Sequence, residues 1–226
     1  MVFNNRCTYK FDISIDGRCL KLVNSVKFLG VYIDSKLSWS DHIFNTSSHI
    51  ARAVGILGRL KYLLPRNVLR TIYLTLIYPH LTYCSGIWST ASHCQLNKLH
   101  ILQKRAIRHI TCSKPRDHTN DLFKSLNLLK LPDIIKLGIA SFTYRSLNNI
   151  LPDYFSDYFS HNSSIHDYNT RQSTFLHQDT IQTSSQHSSL RNRAIKLWNS
   201  LPYSITHTPS IQSFRRNFSR HFIGTY

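Results

Sequence analysis

Glutamate is absent. All 11 acidic residues of the 226-residue chain are aspartate. HExxH zinc proteases are thereby excluded, because their general base is a glutamate, and a glycosidase would have to work with Asp alone. Glycine is scarce, with seven residues, and neither GxGxxG nor GxxxxGK[ST] occurs, so no phosphate-cradling loop is encoded. There is no Asp-Asp dipeptide. Two-metal nucleotidyl transfer needs at least two carboxylates converging on the cations. The nearest pairs, Asp12/Asp16 and Asp117/Asp121, read instead as turn residues and as caps at a helix start. Asp34, ahead of Ser35-Lys36, reads as a turn or capping residue. Five cysteines (7, 19, 84, 94 and 112) form no short paired spacing and point to a reducing compartment.

The N-terminal residues lack the apolar run of a secretory signal, so an intracellular protein is expected. Thr71 to Asn97 carries no Lys, Arg, Asp or Glu, but Pro79, His80, Ser85, Ser89 and Ser92 interrupt it. It is expected to be helix buried in protein rather than a membrane span. Cys84, His93, Cys94, His100, His109 and Cys112 crowd into 29 residues, yet without the paired ligand spacing of a zinc site, and no metal site is expected.

What the chain has in excess is positive charge. Lys plus Arg number 28, giving a formal net charge of +17. The 75 residues between Asp41 and Asp117 contain no carboxylate, and none follows Asp179. Such a surplus destabilises a compact chain through self-repulsion unless a polyanion offsets it, and nucleic acid is the partner expected.

Periodicity predicts a mainly α protein with a small N-terminal β segment. Phe11, Ile13 and Ile15 alternate with polar neighbours, Asp16-Gly17 signals a tight turn, and Leu20 and Leu22 resume beyond it. Val26 to Ile33 reads as one strand covered on both faces. This β segment must complete a sheet elsewhere or dock on the helices that follow. A helix capped by Ser40 or Asp41 places Ile43, Ile50, Val54, Leu57 and Leu64 on one face and ends at Pro65. A second uses Val68, Leu69, Ile72, Tyr73, Leu76 and Ile77 and ends near Pro79. A third carries Leu96, Leu99, Leu102, Ala106 and Ile110, with Lys98, Arg105 and Arg108 opposite. Together they suggest a small bundle. Tyr62, Tyr73 and Trp88 lie near basic residues, where aromatics either stack on bases or fill a core. Pro132 opens a further helix. Of the 30 residues from 160 to 189, 22 are Ser, Thr, Asn, Gln or His, and read as a loose connection or weak β structure. Two helices capped by Ser189 and Ser210 close the chain, the latter carrying Ile211, Phe214, Phe218 and Phe222 with Gly224 beyond it.

Four stretches resemble reverse transcriptases of non-LTR (LINE-type, jockey-like) retrotransposons. They are Val26 to Ile43, with FLGV followed by D-x-K-L-x-W-x-x-H-I; Tyr73 to Trp88, a Y-x-x-L-I-x-P-x-L-x-Y-x-x-x-x-W pattern; Leu102 to Arg108; and Tyr168-Asn169-Thr170-Arg171 with Ala194 to Pro202 and Phe214-Arg215-Arg216. The resemblance implies a palm-end β segment over residues 1–36 with Phe28, Leu29 and Gly30 as primer grip. It implies a helical, thumb-like bundle over 37–118 that tracks a template–primer duplex, and a C-terminal extension over 119–226. Arg52, Arg59, Lys61, Lys98, Lys104, Arg105 and Arg108 are the expected nucleic-acid contacts. The metal-binding Asp pair of such polymerases would lie upstream, so the chain is expected to be a truncated polymerase region that binds RNA–DNA hybrid non-specifically, with no catalytic residues or cofactor of its own. Mg2+ belongs to full-length members only. The alternatives are a part of an active enzyme whose catalytic palm is encoded upstream, and a non-enzymatic interaction protein or relic.

Overall fold

The computed structural model describes residue 3 and residues 14–165 and 173–226. Cys7, Phe11, Asp12, Ile13 and the Tyr168–Arg171 motif lie outside them. The described chain is mainly helical. Two antiparallel hairpins come first: β1 (Ser14–Ile15) with β2 (Arg18–Cys19), and β3 (Ser25–Phe28) with β4 (Val31–Asp34). Helices follow: α1 (Ser40–Leu60), α2 (Arg66–Leu76), α3 (Tyr78–Thr82), α4 (Ser85–Trp88), α5 (His93–Ile110), α6 (Asn120–Leu126) and α7 (Leu131–Leu147). After two 3-10 turns come α8 (Ser184–Ser188), α9 (Leu190–Ser200), α10 (Tyr203–Thr206) and α11 (Ile211–Gly224).

The predicted Asp16-Gly17 turn is present, with φ of 50° and 73°. Both central residues are left-handed, as the tight hairpin turn that follows the strand twist demands. The expected single strand Val26–Ile33 is a correction. The chain reverses at Leu29-Gly30, where φ is again positive at both residues (45° and 83°), and Val26 pairs with Ile33 across the turn. Nor is it covered on both faces: Val26, Phe28 and Leu29 are exposed, while Val31 is buried against the helices.

α1 buries Ile43, Ile50, Val54 and Leu57, as its periodicity requires. It stops at Leu60, short of Pro65, which caps α2 instead. Its N-cap is Trp39, and neither Ser40 nor Asp41 supplies the cap. The region 71–97 is broken into pieces rather than one helix. Pro79 sits in the first turn of α3, and Cys84 adopts φ 50° before α4. α5 begins with a capping box, Ser92 and Gln95 each satisfying the other's backbone N–H.

α1 and α5 run parallel along most of their length. At one end Gln95 Nε2 donates to Ser40 Oγ at 2.8 Å. At the other, a Cβ on Gly58 would lie 3.4 Å from the His109 ring, and Cys112 Sγ contacts the Lys61 carbonyl at 3.4 Å. A side chain at position 58 would thus meet the His109 ring at ordinary contact distance.

Gln103 organises the core beneath α5. It is fully buried. Its Nε2 donates to Tyr73 Oη and to the Leu129 carbonyl, both at 2.9 Å, and its Oε1 accepts the Leu131 N–H at 2.8 Å. One side chain thereby joins α2, α5 and the start of α7. The larger of two apolar clusters runs from Val31 to Ile223 and contains residues of the β segment, the bundle and the C-terminal helices, and the smaller holds Tyr144, Ile205, Phe214 and Phe218. Tyr226 closes the larger one: its hydroxyl donates to Asp133 Oδ2 at 2.8 Å and accepts the Lys130 N–H at 2.9 Å, with Lys130 Nζ 3.8 Å from the ring centroid.

The region expected to be a loose connection or weak β structure holds, among its described residues, an isolated β bridge and a short helix. His161 bridges Leu176, and Asn199 holds both the N–H and the carbonyl of buried Leu176. Within it α8 is capped by Thr183. Ser189 and Ser210 cap α9 and α11 as expected. Gly224 ends α11 from inside the helix. Asp117 caps no helix: its Oδ2 accepts the Lys114 N–H at 2.8 Å, and Thr119 begins α6 without a side-chain bond.

Gln103→Ala strips three buried partners of their bonds and leaves a cavity. Denaturant unfolding should show a loss on the order of 2–4 kcal/mol. A second expectation concerns acid. Burial, with Lys104 and Lys130 nearby, pushes the His100 imidazole down to about 4. The unfolded chain then binds the extra proton between its ordinary value, 6.5, and 4, so stability should fall as pH drops through that window. The fall between pH 7 and 5 should be smaller in His100→Gln.

Candidate nucleic-acid interface

The site grows from Asp34, at the end of β4. Its Oδ1 accepts the N–H of Lys36 (3.1 Å) and of Ser38 (3.0 Å), and its Oδ2 accepts the N–H of Trp39 (2.8 Å) and the Ser38 hydroxyl (3.2 Å). Burial raises this carboxyl, but the amides of Ser38, Trp39 and Lys36 prevail and hold it below its ordinary 3.8. The carboxylate folds the 34–39 segment onto the start of α1. It braces the turn that leads into α1, while the first helical amide, that of Ser40, meets the Ser38 hydroxyl at 3.4 Å.

Trp39 carries the connection onward. It is buried, and its indole N–H donates to Thr90 Oγ1 at 2.7 Å. Trp88, also buried, donates its indole N–H to the Tyr83 carbonyl at 2.7 Å and packs its ring 5.8 Å from that of His42. The Tyr83 hydroxyl then donates to the Leu29 carbonyl at the tip of the β3–β4 hairpin. Hairpin base and hairpin tip are thus both tied to the α3–α4 region. Leu29 at φ 45° is a strained position for a side chain with a Cβ, and the Tyr83 bond to its carbonyl holds it there.

Phe28, Leu29 and Gly30 therefore stand at an anchored turn, with Phe28 62% and Leu29 74% exposed. Beside them lies a groove of about 670 Å³ between the hairpin, α1 and α3. Lys27, Asn45, His49, His80 and Tyr83 line it, and no carboxylate does. The rings of His49 and His80 stack at 5.3 Å. Burial, and then His49, lowers His80. His42 also lines the groove, lowered by burial, and neither of its ring nitrogens has a hydrogen-bond partner.

Arg52 continues from the groove, its Nη2 2.8 Å from His49 Nδ1. Arg59 lies two turns further along the same α1 face. Lys61 sits over the Tyr62 ring at 4.5 Å. Burial lowers His109, and the charges of Lys61 and Arg105 lower it further, so these cations crowd the C-terminal ends of α1 and α5. Part of that crowding suits the helix dipoles, whose negative ends lie there. Lys98 and Arg105 are exposed on α5.

Two expected contacts are less free. Lys104 is half-buried. Arg108 donates through Nε and Nη2 to the Asp117 carbonyl at 3.1 and 2.9 Å, holding the loop before α6. Among the described residues the ion pairs are Lys136–Asp133 and Arg191–Asp179, so none of the seven expected cations is neutralised by an acid. Tyr73 and Trp88 belong to the core, while Tyr62 is 80% exposed. Among the described residues no group of three or more His, Cys or Asp could hold a metal, the cysteines at 19, 84, 94 and 112 are free, and no helix is long and apolar enough to cross a membrane.

Sequence reasoning missed the roles of Tyr83, Thr90 and His42 and the anchoring by Trp39 and Trp88. Their motif spacings were visible. The contacts that join them span about 50 residues of chain, and spacing does not encode those.

The chain is similar to RNA-directed DNA polymerases of mobile elements. It is 30% identical over 159 residues to the RNA-directed DNA polymerase from mobile element jockey of Drosophila melanogaster, a match covering 68% of this chain and 17% of that protein. It is 28% identical over 139 residues to the probable RNA-directed DNA polymerase from transposon BS of the same fly, covering 59% and 15%. The jockey polymerase of Drosophila funebris is 27% identical over 129 residues, covering 55% and 14%. No family model and no solved structure matches. The chain is a homologue of a region of jockey-like, non-LTR retrotransposon reverse transcriptases, and the match spans less than a fifth of the length of these relatives.

Asp34→Ala should cost about 1–3 kcal/mol, because it strips three turn amides and a hydroxyl of their charged acceptor. A carboxyl held low stabilises above its ordinary 3.8, and the gain is lost as pH falls through its folded value. The advantage of the native protein over Asp34→Ala in thermal melts should therefore shrink below about pH 4. Gly30→Ala should cost about 1–2 kcal/mol from its positive φ, since the added methyl meets Tyr83 only at ordinary contact distance.

Proposed function

We propose that this chain is a template–primer-binding region of a reverse transcriptase, contacting RNA–DNA hybrid through backbone phosphates without reading sequence. In this reading residues 1–36 end the palm, with Phe28, Leu29 and Gly30 as the primer grip. Residues 37–118 form the thumb, and residues 119–226 are the C-terminal extension. The observation that carries it is the run of unneutralised cations from the hairpin groove through Arg52 and Arg59 to Lys61 and Arg105, in a homologue of RNA-directed DNA polymerases. Phosphate contact positions a protein on a duplex but carries no base identity.

Polymerisation itself requires paired carboxylates on two metal ions. The 226 residues contain no Asp-Asp pair, so the chain alone is proposed to be inactive. The short share of its relatives that it spans favours a second reading beside this one, in which the region serves an active polymerase whose carboxylates lie elsewhere.

Binding to a primer–template hybrid should weaken with salt. Contact with about six phosphates predicts a log–log slope near −5. Lys98→Glu with Arg105→Glu should reduce affinity alike for unrelated sequences and flatten the slope by about 2. A salt-independent affinity, or primer extension by the purified chain with Mg2+ and dNTPs, overturns the reading.

A further inference from the structure

A second pocket lies away from the α1–α5 cations, where α3 and α4 meet α7 and α11. It has a volume of about 280 Å³. Tyr78, Ser85, Ser141 and Arg215 supply its polar lining, and Thr82 also faces it, although the Thr82 hydroxyl proton is already committed to the Tyr78 or Pro79 carbonyl. Ile134 and Leu137 form an apolar side. No Asp takes part, so hydroxyls and a guanidinium line it with no carboxylate to neutralise them.

Two of these groups are well enclosed. Ser85 is 2% and Ser141 5% exposed. Ser141 Oγ has no hydrogen-bond partner, an arrangement that costs stability unless something else supplies one. Gly138 leaves room for the Ser85 hydroxyl in its present rotamer: a Cβ there would stand 2.8 Å from Ser85 Oγ. Arg215 stands at the exposed side, on α11. Its charge reaches Tyr78, opposing the rise that burial gives that hydroxyl. The Phe214-Arg215-Arg216 run is otherwise unexplained. Phe214 is core, and no acid among the described residues pairs with either arginine.

We infer that this pocket is a phosphoryl-anion site, with Arg215 as the charged clamp and the Ser141 and Ser85 hydroxyls as donors from within. A guanidinium and hydroxyls lining one pocket are a donor set that suits phosphate oxygens. The inference goes beyond the duplex reading and does not depend on it, because it uses none of the cations on α1 or α5.

Inorganic phosphate is the probe, titrated against the full chain by 31P NMR at constant ionic strength. Saturable binding is expected. Arg215→Gln should weaken it about ten-fold or more, the usual loss when a charged hydrogen bond is removed. Arg216→Gln, one residue along and outside the pocket lining, should leave it within about two-fold. Ser141→Ala removes a buried hydroxyl that has no internal partner, so its melting temperature should hold or rise while phosphate affinity falls. Equal losses in the Arg215 and Arg216 variants, full affinity in Ser141→Ala, or no saturable binding each overturn the site. Competition then separates the sources. Displacement by 5′-hydroxyl and 5′-phosphorylated oligonucleotides alike assigns the site to a backbone phosphodiester. Displacement by the phosphorylated form alone assigns it to a terminal phosphate, and displacement by neither assigns it to a small phosphorylated molecule. Loss of hybrid binding in the Lys98/Arg105 variant with phosphate binding intact, or the converse, distinguishes failure of one proposal from failure of the other.

Discussion

A four-residue β ladder has too little surface to hold itself in place, and the β3–β4 hairpin depends on one carboxylate. Asp34 gathers three backbone amides and a hydroxyl at the point where strand becomes helix. That geometry sets Trp39 into the core against Thr90. Trp88 and Tyr83 return the connection to the tip at Leu29. Two-stranded ribbons are marginal in water. This one is fixed at both ends by side chains from elsewhere in the fold, so its exposed turn is presented rather than left to fluctuate. The strands of the β1–β2 hairpin are exposed at every residue.

Charge imposes the second constraint. A formal +17 with few acids leaves the surface cations largely unpaired. The fold accommodates some of this internally. Arg108 is used on a carbonyl, Lys130 lies over the Tyr226 ring, and several histidines are held neutral by burial. The remaining lysines and arginines cost free energy through mutual repulsion, which salt screens and a bound polyanion would offset. Placing them beside the anchored hairpin links the two constraints, since one side chain, His49, both lines the hairpin groove and meets Arg52.

Much of this was legible beforehand. Helix faces came from periodicity because Ile50, Leu57, Leu99 and Ala106 point where a 3.6-residue repeat sends them. Asp16-Gly17 was read as a turn because glycine announced it. Leu29-Gly30 was not, because leucine at positive φ is unusual and the surrounding Val, Phe and Ile look like an unbroken strand. Ser40 and Asp41 are good caps by type, yet the helix starts after Trp39 with no side-chain cap, because Asp34 has already shaped the turn before it. Arg108 reads as a free cation in the sequence, because its partner is a backbone carbonyl, which no residue type reveals. The aromatic network stayed hidden for the same reason: its motif positions were on view, but the long-range contacts between them arise only on folding.

Backbone hydrogen exchange in the presence of a saturating RNA–DNA primer–template hybrid tests the central claim most directly. The account predicts slowed exchange across the Ser25–Asp34 hairpin and at the C-terminal turns of α1 and α5, diminishing as salt is raised. Exchange in the hairpin and both helices that is unchanged by bound hybrid would contradict it.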